Sequence, residues 1–228
     1  MNLVCLEKIK GESAREYVTR VLRANILNLN LNPGQLINEN EIAELLNISR
    51  TPIRESIIKL TQDNLIETYP QKGTYISRIN LKYVEEGWFA RATMEKAIMK
   101  LVCENYASDE LIKNMEENLH MLEYYIGTKD YLKIIVNDDE FHRSIYRACE
   151  KERICLAIES LNNDYYRVRF LSLSSTSKIE TVLSQHNEIK NAIKEKDSLR
   201  AQKAVEEHLK YVKLDQEIIM NEYPEFLL

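Results

Sequence analysis

Glycine and proline are scarce in this chain, five and four in 228 residues, and three of the four prolines lie before residue 71. Beyond that point a chain so poor in turn-formers reads as mostly helix. No run approaches 18 consecutive apolar residues, and the first residues lack a basic stretch leading into an apolar one. Membrane spans and a secretory signal are therefore not expected, which leaves the cytoplasm. The four cysteines (Cys5, Cys103, Cys149, Cys155) form no C-x-x-C pair, which argues against a zinc ribbon or disulfide scaffold and fits reduced thiols. There is no positive excess either, since the net charge is −5. That deficit is not uniform: residues 1–80 sum to +1 and residues 81–228 to −6. A local basic surface in the first part is compatible with an acidic whole.

What is present is periodic. Hydrophobic residues make up 44% of the chain, enough for a sizeable core. Val18, Val21, Leu22, Ile26 and Leu29 carry a helical spacing over 13–29, which Asn32-Pro33-Gly34 stops. Asn38 or Asn40 can open a second helix through Leu46. Asn47 suits a left-handed turn residue, and Ser49 or Thr51 can cap a third helix with Pro52 in its first turn. After Asn64 the pattern alternates, Leu65–Tyr69 and Thr74–Ser77 around Gln71-Lys72-Gly73, as in a hairpin. Three helices and a hairpin make a winged helix-turn-helix. Residues 1–79 are assigned to it, with residues 80–228 as a second domain. From about residue 84 successive amphipathic segments, broken near Ser108, Asp130, Glu150, Ser172–Ser177 and Lys196, predict an antiparallel all-helical bundle of about six helices. The fold class is mainly α.

In a helix-turn-helix the start of the second helix enters the major groove. Ser49, Arg50, Thr51 and Arg54 lie there, with the two arginines one turn apart on one face. Arginine can pair with guanine O6 and N7. Lys72 and Gly73 at the wing tip suit a contact in the adjacent groove. Two arginines at this spacing are ordinarily just solvated, and the surrounding string is what changes the reading. Leu36, Glu39, Ile42, Ala43, Leu46, Ile48, Ser49, Arg50, Thr51, Pro52, Ile53, Arg54 and Glu55 fill almost all of a pattern that closely resembles the signature of the GntR family of regulators. Asn40 departs from it, standing where several relatives have an arginine that touches DNA.

Three of the four histidines form a pattern with one aspartate. Asp138 and His142 share a helix face, and His186 and His208 are equidistant from residue 197, inside the predicted turn Lys196-Asp197-Ser198. In an antiparallel hairpin those two stand level. One carboxylate and three imidazoles suit a divalent metal, zinc first, with nickel and manganese as alternatives. Unrelated polar residues are the bland alternative. Residues 84–215 also resemble the FCD ligand-binding domain of the FadR branch of GntR regulators, in which an Asp-x-x-x-His motif and two later histidines hold a metal. Asp139 is a neighbouring rival of Asp138 but points about 100° away. Arg91 is the candidate for binding the effector, with an Arg91–Glu95 structural pair the equal alternative.

The resemblance implies a homodimeric repressor of a double-stranded DNA operator, controlled by a small organic acid and not an enzyme. Two rivals remain at this point. One is a metal-dependent hydrolase or oxygenase on the helical domain, disfavoured because Glu140 points away from the Asp/His face. The other is a regulator that senses an acyl ligand without metal.

Overall fold

The computed structural model of the chain describes residues 1–175 and 179–228. They form two compact units, residues 1–81 with 223–228, and residues 82–222. The boundary differs from the expected one at the C-terminal end, because residues 223–228 belong with the first unit and not with the helical domain.

In the first unit α1 (Ala14–Leu27) opens on Ser13, whose hydroxyl caps the Glu16 N–H while Glu16 reaches back to the Ser13 backbone. This reciprocal cap satisfies two orphan donors at the helix start. β1 (Leu36–Ile37) precedes α2 (Glu39–Leu46), α3 (Arg50–Gln62), β2 (Ile66–Tyr69) and β3 (Gly73–Ile76). The strands form an antiparallel sheet in the order β1-β3-β2, with Leu36 opposite Tyr75 and Ile66 opposite Ile76. β1 was not expected; two residues are too short to show a period. Asn38 caps α2, and Asn47 closes it in the left-handed region with φ 51°. Val18, Leu22, Ile42, Ile53 and Leu60 are wholly buried in one core that locks α1, α2 and α3 together. Residues after β3 are tied by the C-terminal segment. The Ile79 N–H donates to the Phe226 carbonyl at 2.8 Å, and the Leu228 N–H donates to the Ile79 carbonyl at 3.0 Å.

Gly73 carries the wing. Its φ is +122°, and a Cβ there would lie 2.7 Å from Leu36 Cδ1. The backbone conformation therefore favours glycine, while the exposed Leu36 side chain can move aside. We expect Gly73→Ala to lower the first unit's unfolding free energy by about 1–3 kcal/mol, read as a shift of the urea midpoint without a change of slope; an unchanged midpoint would show that the wing is not held this tightly.

The second unit is helical throughout. α4 (Leu81–Leu101) runs into a π turn (Val102–Tyr106), followed by α5 (Asp109–Thr128), α6 (Tyr131–Ala148), α7 (Glu152–Leu161), α8 (Asn163–Ser175), α9 (Ile179–Lys194), α10 (Ser198–Leu209) and α11 (Tyr211–Glu222). Ser108, Asp130 and Asp197 cap α5, α6 and α10 with their side chains. Among the described residues there are eight helices rather than about six. Breaks at Asn162 and Lys210 add two, because asparagine and lysine end helices here without glycine or proline to mark them. The break expected at Ser172–Ser177 runs into residues 176–178, outside the described ones. Phe141, Ile145, Met115, Ile189 and Val205 are buried in a shared core from α5, α6, α9 and α10. α4 comes close to the α7–α8 junction at Gly87, where a Cβ would stand 2.2 Å from Asn162 Oδ1.

Candidate functional site

Two places draw the chemistry together. The first is the α2–α3 pair. Ser49 is the cap residue of α3 but makes no side-chain capping bond, so its hydroxyl is not consumed by the helix. Arg50 and Thr51, the first residues of α3, are exposed, and so is Arg54 one turn on. The N-terminus of a helix presents unpaired N–H groups and positive potential, which favour a phosphate. Arg54 is not free: its Nε donates to Glu39 Oε2 at 2.8 Å, a pairing across α2 and α3 that the sequence reading missed. The arginine is 63% exposed in that pair, so the bond is a weak surface contact. Lys72 is exposed at the wing tip, beside Gly73 with its positive φ.

The second place lies inside the helical unit. Asp138 and His142 come from α6, His186 from α9 and His208 from α10, and all four are buried. One ligand atom from each falls within 4.8 Å of all the others. Three imidazole nitrogens face one another: His142 Nε2 lies 3.2 Å and His186 Nε2 3.4 Å from His208 Nε2. Asp138 Oδ1 lies 3.1 Å from His186 Nε2 and 3.5 Å from His208 Nε2. Donors about 2.1 Å from a central ion stand about 3.4 Å apart in a tetrahedron and about 3.0 Å apart in an octahedron. Four of the six separations run from 3.1 to 3.5 Å, on either side of the tetrahedral value, and all six are within 4.8 Å, so the donor set suits a divalent cation.

The surroundings fix each ligand. His208 Nδ1 is 3.0 Å from Gln185 Oε1, which leaves Nε2 to face the cluster. The His186 ring stacks on Phe141, centroids 4.1 Å apart, and its Nδ1 is buried without a hydrogen-bond partner. Asp138 Oδ2 accepts from Arg169 at 2.5 Å, while the same guanidinium holds Asp139 at 2.7 Å. Asp139, the rival ligand, is thus engaged elsewhere. Burial alone would raise the Asp138 carboxyl, but Arg169 and the imidazoles of His186 and His208 hold it well below the usual range. Burial pushes His186 down to about 3 and lowers His208 as well, the contact with Asp138 opposing it only in part. An ionised carboxylate beside neutral imidazoles is the protonation state a metal requires.

Arg91 lies at this cluster, buried, with Nε on Glu95 Oε1 at 2.6 Å and Nη2 3.6 Å from Asp138 Oδ2. The pairing with Glu95 that stood as the alternative exists, and it exists beside the Asp/His cluster. Tyr165 is buried under both arginines, with Arg91 and Arg169 5.7 Å and 5.8 Å from its ring centroid. Arg169 carried no role in the sequence reading, which also did not find Glu95's contact with His142, 2.5 Å between Oε2 and Nδ1. No sequence signal separates Arg169 from Arg167, which is wholly buried against Asp164. Glu140 pairs with Arg147 at 3.1 Å on an exposed face, away from the cluster.

Comparison with known proteins covers both places. Residues 14–76 match the model described as bacterial regulatory proteins, gntR family, and residues 86–211 match the FCD domain. The chain is 29% identical over 201 residues to the HTH-type transcriptional repressor RspR of Escherichia coli strain K12, covering 88% of each protein. The solved structure of E. coli McbR/YncC is similar in fold, with a TM-score of 0.77 at 20% identity, covering 90% of this chain and 98% of that one. A GntR transcriptional regulator from Rhodococcus sp. RHA1 matches with a TM-score of 0.73 at 20% identity, over 93% of this chain and 100% of that one.

Proposed function

The chain belongs to the GntR family of bacterial regulatory proteins, in the branch carrying an FCD domain, and from that premise we propose that it is a repressor whose hold on an operator is set by a small organic acid bound at a divalent metal. The family consists of transcriptional regulators and not enzymes, so the hydrolase or oxygenase alternative falls. The finer reading rests on one observation: four buried ligand atoms from three helices, packed at the spacing of a metal's ligands. A fold that brings three imidazole nitrogens and a carboxylate oxygen this close in its interior holds a group too polar to leave unmatched.

Asp138, His142, His186 and His208 would hold the cation, zinc by donor type, with nickel and manganese as alternatives. Bound there, the metal supplies an electrophilic position for a carboxylate oxygen. Arg91 and Arg169 supply positive charge beside it, and Tyr165 is an aromatic wall under both. This pairing of charges favours a small acid over a neutral acyl ligand. In the winged unit Ser49, Arg50, Thr51 and Arg54 meet base edges and phosphates, and Lys72 with Gly73 meets the adjacent groove. A homodimer presents two such heads, and its two-fold symmetry calls for an inverted repeat. No described helix is long and apolar enough to cross a membrane, which accords with a cytoplasmic regulator.

The ligand can move operator affinity only by as much as its affinities for the two protein states differ. A titration of operator-bound protein with small carboxylates should find an acid that weakens the complex by about 5- to 150-fold, and chelation of the metal should erase its effect. A response that survives chelation would support acyl sensing without metal instead. A panel of acids with no effect on affinity at any concentration would overturn effector control.

A further inference from the structure

Glu95 is unexplained by the ligand set. It lies on α4, a helix that among the described residues contributes no metal ligand, yet it is 2% exposed and reaches the cluster from behind. Its Oε2 lies 2.5 Å from His142 Nδ1, the ring nitrogen opposite the one that faces His208. Both atoms are buried and neither makes an aligned hydrogen bond to any group. They stand in close contact, with Glu95 Oε2 the carboxylate oxygen facing that nitrogen. Its other oxygen takes the Arg91 Nε–H at 2.6 Å, so the carboxylate itself is held in place.

We propose that Glu95 is a positioning residue for the metal centre, fixing His142 with its proton on Nδ1 so that Nε2 is left to the metal. The physics is general: an imidazole ligand whose remote N–H donates to a carboxylate is locked in tautomer and orientation and becomes a stronger base toward the cation. On the side away from the cluster the other two imidazoles meet neutral groups, His208 Nδ1 facing Gln185 and the His186 ring stacked on Phe141. Glu95 is therefore the anionic support among the three. This inference rests on the metal reading above.

The test is a zinc competition titration against a chromophoric chelator, on the full chain. Glu95→Gln keeps the shape and removes the charge, and zinc affinity should fall about 10- to 100-fold. The variant also leaves the buried Arg91 guanidinium with only Asp138, 3.6 Å away, as a close acid, and its less-balanced charge could repel a cation by itself. The double variant Arg91→Met with Glu95→Gln removes that complication and should remain weak. Recovery of wild-type affinity in the double variant would show that Glu95 serves only as Arg91's counter-ion, and unchanged affinity in the single variant overturns the proposal directly. Should the variants fail to fold, long-range proton–nitrogen spectra of the zinc-loaded wild type decide: His142 protonated on Nδ1 supports the assignment, and metal on Nδ1 refutes it. A wild type that takes up no zinc, nickel or manganese sinks the metal reading itself, an outcome distinct from either.

Discussion

Replacing Arg50 and Arg54 together by alanine should reduce operator binding to the level of random duplex while leaving the helical unit's melting unchanged. The two residues occupy the leading turn of α3, exposed and on one face. If each guanidinium takes a guanine by two hydrogen bonds, each is worth about 1–3 kcal/mol, or roughly 5- to 150-fold in affinity. The two are not equal. Arg50 has no ion-pair partner among the described residues, whereas Arg54 must release Glu39 before it can meet a base. That release costs at most about 1 kcal/mol for an exposed pair. The single variants should therefore rank with Arg50→Ala the more damaging, and Glu39→Gln should tighten binding slightly. Lys72→Ala should instead weaken all duplexes alike and lower the slope of affinity against salt by about one phosphate contact. Fluorescence anisotropy on duplexes selected from a random pool by the wild-type protein provides the numbers. Full affinity in the double alanine variant would mean that α3 is not the reading element.

How much of this was legible beforehand depends on the distance over which each feature is encoded. The α2–α3 element is written in one continuous string, and its turn residue Asn47 has the left-handed backbone expected of it. The Asp/His cluster was legible for a different reason. Asp138 and His142 are one helical turn apart, and His186 and His208 are symmetric about Asp197, the residue that caps α10. Local periodicity gives one pair and a hairpin gives the other, and the resemblance to the FCD domain is what joined the two pairs. Contacts between elements remote in sequence left no such mark. Arg169 reaches Asp138 across 31 positions, and Arg54 reaches Glu39 across 15. Glu95 was weighed only as the helical neighbour of Arg91, because its contact with His142 depends on how α4 lies against α6. The breaks at Asn162 and Lys210 were missed because neither glycine nor proline marks them.

Removing the metal should cost the helical unit more than any single side chain does. A ligand that binds only the folded state stabilises it by about 4 kcal/mol when free ligand is a thousand times its dissociation constant. At about 2–4 °C per kcal/mol for a unit of this size, saturating zinc should raise its melting temperature by about 8–16 °C over the chelated protein. The sign follows from the cluster itself. Without a cation, imidazole nitrogens face one another at 3.2 and 3.4 Å inside the core, an arrangement that strengthens as soon as positive charge enters it. Truncating His186 would also open a hole beside Phe141, against which its ring is stacked, so loss of stability alone would not identify a ligand. The informative quantity is the increment between chelated and zinc-loaded samples of the same variant. Asp138→Asn keeps the shape and removes the charge, and it should shrink that increment to a small fraction. His120→Ala, on the exposed surface of α5, should leave it intact. A wild-type increment of zero across zinc, nickel and manganese would mean that the four side chains hold one another through shared protons and not through an ion.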